Sequence, residues 1–197
     1  MTSVSAGHCG HLPDGEAARK PLKAFGAPIV DTIGPIPYVQ LNGMLDAAFP
    51  KGALNYWKSH FIDALGDAAI DSLIERFAAC PSPMGLVLLE DFHGAATRVP
   101  VGETAYAMRS AGFNALFLSE WMDPSQTESC IRWARESYAA IQPFVGPRRY
   151  LNYLADDDTT DAALAAAYGP NLSRLRRIKS KYDPNNVFHL NVNIRPE

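Results

Sequence analysis

Residues 55–80 change their hydrophobic period partway, and that change limits what this chain can build. Over 55–62 the order Asn-Tyr-Trp-Lys-Ser-His-Phe-Ile alternates large apolar with polar side chains, the period of two expected of a half-buried strand. Over 66–80, apolar Ala69, Ile70, Leu73, Ile74 and Phe77 recur at helical spacing until Pro81 and Pro83 end the run. A strand followed at once by an amphipathic helix buries one face of each against the other. Residues 84–91 read as a buried strand, and 105–109 and 114–121 as two more. Residues 124–141 form a second amphipathic helix with Ile131, Trp133, Ala134, Tyr138 and Ile141 on one face. This order predicts an α+β fold, an antiparallel sheet with helices packed on one face, rather than a doubly wound sheet.

The flanks are less regular. Residues 1–11 are small, polar and aperiodic, and are expected to be disordered. Short helices are expected over 16–25 and 39–49, and an extended piece over 150–154. Two carboxy-terminal helices are expected over 159–168 and 171–181, with Thr159 or Thr160 as N-cap and Gly169-Pro170 between them. No low-complexity linker or internal repeat divides the 197 residues.

Composition narrows the partners. A net charge of −3 gives no basic surface for nucleic acid. No apolar run approaches the roughly 20 residues of a membrane helix, and the first residues lack the pattern of a signal peptide. The three cysteines, Cys9, Cys80 and Cys130, are too scattered for a disulfide framework, and reduced thiols predict a cytoplasmic setting. His8, Cys9 and His11 sit within four residues of each other near the amino terminus with no fourth ligand close by, so no metal site is expected.

Familiar catalytic motifs are missing: there is no G-x-G-x-x-G, no phosphate-binding G-x-x-x-x-G-K, no H-E-x-x-H and no G-x-S-x-G. His93 closes a strand and reads as a turn or surface residue. Glu90 and Asp91 are sequence neighbours, and neighbours on a strand point to opposite faces, so they do not form an acid/base dyad. The carboxy-terminal quarter carries more. Tyr150-Leu-Asn-Tyr153 precedes Tyr168-Gly-Pro-Asn171 with Arg174-Leu175. Lys179-Ser-Lys-Tyr-Asp-Pro-Asn-Asn-Val-Phe188 follows, and Asn191-Val-Asn-Ile194 closes the run. Asn191 and Asn193, two apart in an extended tail, would present amides to the same side.

This ordered set, Y-x-N-Y, Y-G-x-N-x-x-R-L, K-x-K-Y-D-P-x-N-x-F and an N-x-N-I tail, resembles the carboxy-terminal motif of berberine bridge enzyme-like FAD-linked oxidases of the vanillyl-alcohol-oxidase type. Upstream pieces agree with bacterial members: Pro21 to Gly26, Asn55 to Ser59, Gly94-Ala95 with Arg98-Val99, and Thr104 to Arg109 leading into Ala111 to Asn114 and Trp121. The resemblance covers roughly residues 12–197.

It implies a partial substrate-binding domain over 12–145 and a berberine-like segment over 146–197 that crosses to an FAD domain. Tyr150 corresponds to a tyrosine beside flavin and substrate and carries the catalytic expectation. Asn152, Asn191 and Asn193 correspond to residues near the flavin. The family's base is expected on strand 114–121, yet in either register that strand offers no acid or amine there. Its one titratable group, Glu120, lies towards its end. The family's amino-terminal FAD-binding domain, with its glycine-rich R-x-G-G-H-like motif, has no counterpart in this sequence. The expectation is therefore the substrate side of an FAD-dependent oxidoreductase of alcohols, sugars or amines, inactive alone. Its implied partners are FAD, a small-molecule substrate, and a separate FAD-binding domain or a second copy joined through an unpaired sheet edge. The alternative is a non-catalytic binding or interaction module, or a truncated gene product that retains the fold.

Overall fold

The computed structural model describes residues 1–154, 158, 160–190 and 192–197. By their internal contacts they form two compact units, Met1–Pro50 and Lys51–Glu197.

In the first unit, α1 spans Leu12–Ala24 and α2 spans Tyr38–Asn42, followed by a 3-10 turn at Asp46–Ala48. The first helix starts four residues earlier than the expected 16. Pro13 sits in its first turn, where a missing N–H breaks no helical bond. The helix expected over 39–49 stops at Gly43 instead.

The second unit holds the sheet. Strand β1 (Leu54–Ile62) leads into helix α3 (Asp67–Ala78) and strand β2 (Leu86–Phe92). A short helix α4 (Ala95–Arg98) precedes strand β3 (Gly112–Trp121) and helix α5 (Thr127–Ala140). The sheet order is β1-β3-β2, and β3 pairs antiparallel with both neighbours. Leu116 and Leu118 in β3 are 1% and 2% exposed, as expected of a central strand.

Helices α3 and α5 cover one face. Their Leu73, Trp133 and Ala134 pack on Ile62, Ala115 and Phe117 of the sheet. The Trp133 ring stands edge-on to Phe117 at 6.2 Å, and its Nε1–H donates to the Arg76 carbonyl at 2.7 Å, so α5 is tied to α3 as well as to the sheet. The expected α+β architecture is therefore present, with antiparallel strands and helices on one face.

Two expected elements are different. Residues 105–109 are not a strand. The Arg109 N–H turns back to the Ala107 carbonyl at 2.9 Å. The Arg109 guanidinium donates to the carbonyls of Tyr106 and Ala96, so this backbone folds on itself instead of joining a ladder. Residues 150–154 are not extended either, because Leu151–Tyr153 is a 3-10 turn closed by Tyr153 N–H to Tyr150 O. Both are short segments whose tertiary partners override local preference.

Gly112 opens β3 with φ +145, and a Cβ there would stand 2.7 Å from the Ile62 carbonyl oxygen, so the close approach of β1 requires glycine. Helix α6 (Asp161–Tyr168) is capped by Thr160, whose hydroxyl accepts from the Ala163 N–H at 3.2 Å, and α7 spans Leu172–Tyr182. No helix among the described residues is long and apolar enough to cross a membrane.

Candidate functional site

The face of the sheet turned away from α3 and α5 carries Trp57, Ser59 and Phe61 from β1, Asn114, Leu116, Leu118 and Glu120 from β3, and Leu86, Leu88, Glu90 and Phe92 from β2. This follows from the alternation of side chains and the strand register. Asn114 lies opposite Phe61 on one side and Glu90 on the other. Glu90 and Asp91 do point to opposite faces, as expected of strand neighbours.

The chain reaches this face by bending over the edge of β1. Val145 bridges Ile62, and the Gly146 N–H donates to the Phe61 carbonyl at 3.2 Å. Arg148 pairs with Asp63 and lies 4.0 Å above the Phe61 ring. Arg149 turns to the helix side, where it and Lys58 share one oxygen of Asp158 at 2.9 and 2.8 Å. These three side chains are only 11%, 7% and 14% exposed, a nearly dry ion group that holds the returning chain against β1.

Tyr150 and the turn after it fall on this face. Tyr150 stacks edge-on with Tyr153 at 5.1 Å, Phe92 at 5.9 Å and Tyr106 at 6.3 Å. The Tyr153 ring also meets Trp57 at 6.0 Å. Asn152 donates its amide N–H to the Tyr150 hydroxyl at 3.0 Å, so these two expected site residues come together.

Two further residues join them that the sequence did not single out for the site. The Tyr153 hydroxyl donates to Glu90 Oε1 at 3.0 Å, and the Asn114 amide donates to Glu90 Oε2 at 2.9 Å. Glu90 is half-buried and Asn114 fully buried. Asn114 Oδ1 is shielded and has no hydrogen-bond partner among the described residues. Burial, then the Glu90 charge, pushes the Tyr153 phenol up to about 12, so it stays a neutral donor. Burial, then Tyr150, also raises the Tyr106 phenol.

Arg109 braces the Tyr106 wall, its guanidinium 4.6 Å over the Tyr106 ring and donating to Thr104 Oγ1 at 2.8 Å. Asn171, just ahead of α7, donates to the carbonyls of Val101 and Thr104 at 2.8 and 3.1 Å and holds the same loop.

The remaining expected residues stand elsewhere. Asn191 lies outside the described residues. Asn193 is half-buried, its Oδ1 shielded and unpartnered among the described residues, and no hydrogen bond among them links it to Tyr150 or Asn152. Glu120 is 2% exposed, and burial raises its carboxyl. It lies six residues along β3 from Asn114, about 20 Å by strand rise, and no hydrogen bond among the described residues links it to the tyrosine cluster. Cys9, Cys80 and Cys130 are all free thiols. His8, Cys9 and His11 are exposed, and no group of three or more His, Cys, Asp or Glu side chains that could hold a metal occurs among the described residues. The Glu90–Asn114–Tyr153 group was hidden because it depends on cross-strand register. The one sequence signal for it was the placement of Glu90 and Asn114 on alternating strands.

The residues that come together are therefore an aromatic group, Tyr150, Tyr153, Phe92 and Tyr106, with the Asn152 amide and the Glu90 carboxylate beside it.

Residues 149–195 match the family model described as berberine and berberine like. An FAD-linked oxidoreductase of Dictyostelium discoideum is 28% identical over 98% of this chain and 42% of its own length. Among solved structures, a glycopeptide hexose oxidase complexed with teicoplanin aligns at TM-score 0.64 and 27% identity, over 74% of this chain and 33% of its own. BBE-like 1 of Physcomitrella patens, in a variant form, shares the fold at TM-score 0.72 and 20% identity, over 95% of this chain and 44% of its own. The chain thus spans about two fifths of the length of the curated relatives it matches, 42%, 40% and 39% of three of them. Residues 149–195 thus carry a berberine and berberine-like segment, and the chain as a whole is similar to part of several FAD-linked oxidoreductases.

Proposed function

We propose that this chain forms the substrate-side wall of an FAD-dependent oxidoreductase that oxidises a small alcohol, sugar or amine. The observation that carries this reading is the grouping of Tyr150, Asn152 and Tyr153 on the sheet face turned away from α3 and α5, brought there by the segment that matches the berberine-like family model. Bound FAD would supply the hydride acceptor. Tyr150 and Asn152 would line the substrate and flavin edge, and Asn191 and Asn193 would supply amides from the tail. In this reading 12–145 is the substrate-binding part and 146–197 the part that reaches the flavin. Relatives named as a glycopeptide hexose oxidase and an aclacinomycin oxidase support hydroxyl-bearing substrates. The free thiols support a reducing, cytoplasmic setting.

The test mixes this chain with FAD and the FAD-binding domain of a berberine-like relative, then follows the visible flavin spectrum and complex size. A stable complex with a perturbed flavin band is expected. If neither complex nor spectral change appears, the reading fails. A second reading, a non-catalytic binding module, is favoured by Leu116 and Leu118, which occupy the central strand where the family resemblance places a base.

A further inference from the structure

The strand on which a base is expected holds none near the tyrosines, yet a carboxylate does reach them from β2. We propose that Glu90 is the proton acceptor of this site and that its substrates carry a hydroxyl group. The proposal rests on the oxidoreductase reading above and assigns a catalytic residue to it.

Three observations converge on Glu90. It is the acidic side chain among the described residues hydrogen-bonded into the tyrosine cluster, through Tyr153 at 3.0 Å. Its second oxygen is fixed by Asn114, a residue fully shielded from solvent, so both carboxylate oxygens have set directions while the half-buried group remains reachable. The Asn114 side chain that holds it is itself locked in the sheet, fully shielded between Phe61 and Glu90, so the carboxylate is anchored on a rigid element. Each carboxylate oxygen accepts one bond from the protein and keeps acceptor capacity for another. Aromatic rings of Tyr150, Phe92 and Trp57 supply an apolar wall around it.

In the step so assigned, the substrate O–H bond breaks and its proton passes to a Glu90 oxygen. Bound FAD would supply the acceptor for the hydrogen and electron pair that leave the carbon as its bond to oxygen becomes double. Tyr153 stays protonated and orients the carboxylate; it is a positioning residue.

Benzyl alcohol is the probe, because it joins one hydroxyl to one ring. The chain is labelled with carboxyl-13C glutamate, and the Glu90 signal is identified by its loss in Glu90→Gln. Benzyl alcohol is expected to move that signal. In the protein supplied with FAD and an FAD-binding domain, Glu90→Gln is expected to slow flavin reduction on the order of 10²–10⁴-fold, while Glu90→Asp recovers part of the rate. Circular dichroism of both variants checks their fold, and Tyr153→Phe, which keeps the carboxylate, is expected to slow reduction less than Glu90→Gln. An unmoved Glu90 signal overturns the proposal, as does Glu90→Gln reducing flavin within threefold of the wild type. That last result would leave the oxidoreductase reading standing. Failure of the wild-type protein to reduce flavin with any alcohol, sugar or amine would overturn both.

Discussion

His60 sits on the helix side of β1, 6% exposed, its ring 5.6 Å from that of Tyr138. Burial first, then the nearby Arg149, lowers its pKa from 6.5 to about 4, with Asp158 opposing. The Phe61 N–H donates to its Nδ1, which needs that nitrogen unprotonated. The folded ring therefore binds a proton less readily than the unfolded one. Stability is fully present above about pH 6.5 and is lost as pH falls towards about 4, by about 3 kcal/mol in all. Urea unfolding across that range should show this slope, and His60→Gln should flatten it. None of this is visible in residues 55–62 as a string. The alternation there places His60 on one face, but the depth of burial comes from α5 and from the chain returning at Arg149.

At the scale of elements, the expectations that held were the strongly periodic ones, β1, α3, β3 and α5; β2 is a strand as expected, but a partly exposed edge strand instead of a buried one, because β3 pairs with it on one side only among the described residues. Those that failed, 39–49, 105–109 and 150–154, are short segments, and the last two close on themselves through local bonds such as Arg109 N–H to Ala107 O and Tyr153 N–H to Tyr150 O. The turn at Leu151–Tyr153 is held on the sheet partly by Asp158, which joins Lys58 and Arg149 on the far side of β1. Asp158→Ala removes the carboxylate that Lys58 and Arg149 share in a nearly dry place, and should cost about 3 kcal/mol. Hydrogen exchange should then speed up in the backbone amides over 146–154. Unchanged exchange there, with an unchanged unfolding midpoint, would show that the ion group does not hold the segment.

For the molecule as a whole, the outer edge of β2 has no strand beside it among the described residues, and Leu88 and Leu89 on it are 40% and 39% exposed. An apolar free edge favours pairing with another chain. Leu88→Lys should therefore lower concentration-dependent self-association, as measured by sedimentation velocity. Equal association in both proteins would place the contact elsewhere. The α+β class was determined by the amino-acid sequence alone, because hydrophobic period is a local property of the chain; the candidacy of Tyr150 and Asn152 was implied by the resemblance of their motif to a known family. The placement of Glu90 against Asn114 and Tyr153, 24 and 63 residues away, was decided only by the tertiary structure. Register between strands and the bend of 145–153 over β1 are set by long-range packing, and no short stretch of sequence contains them.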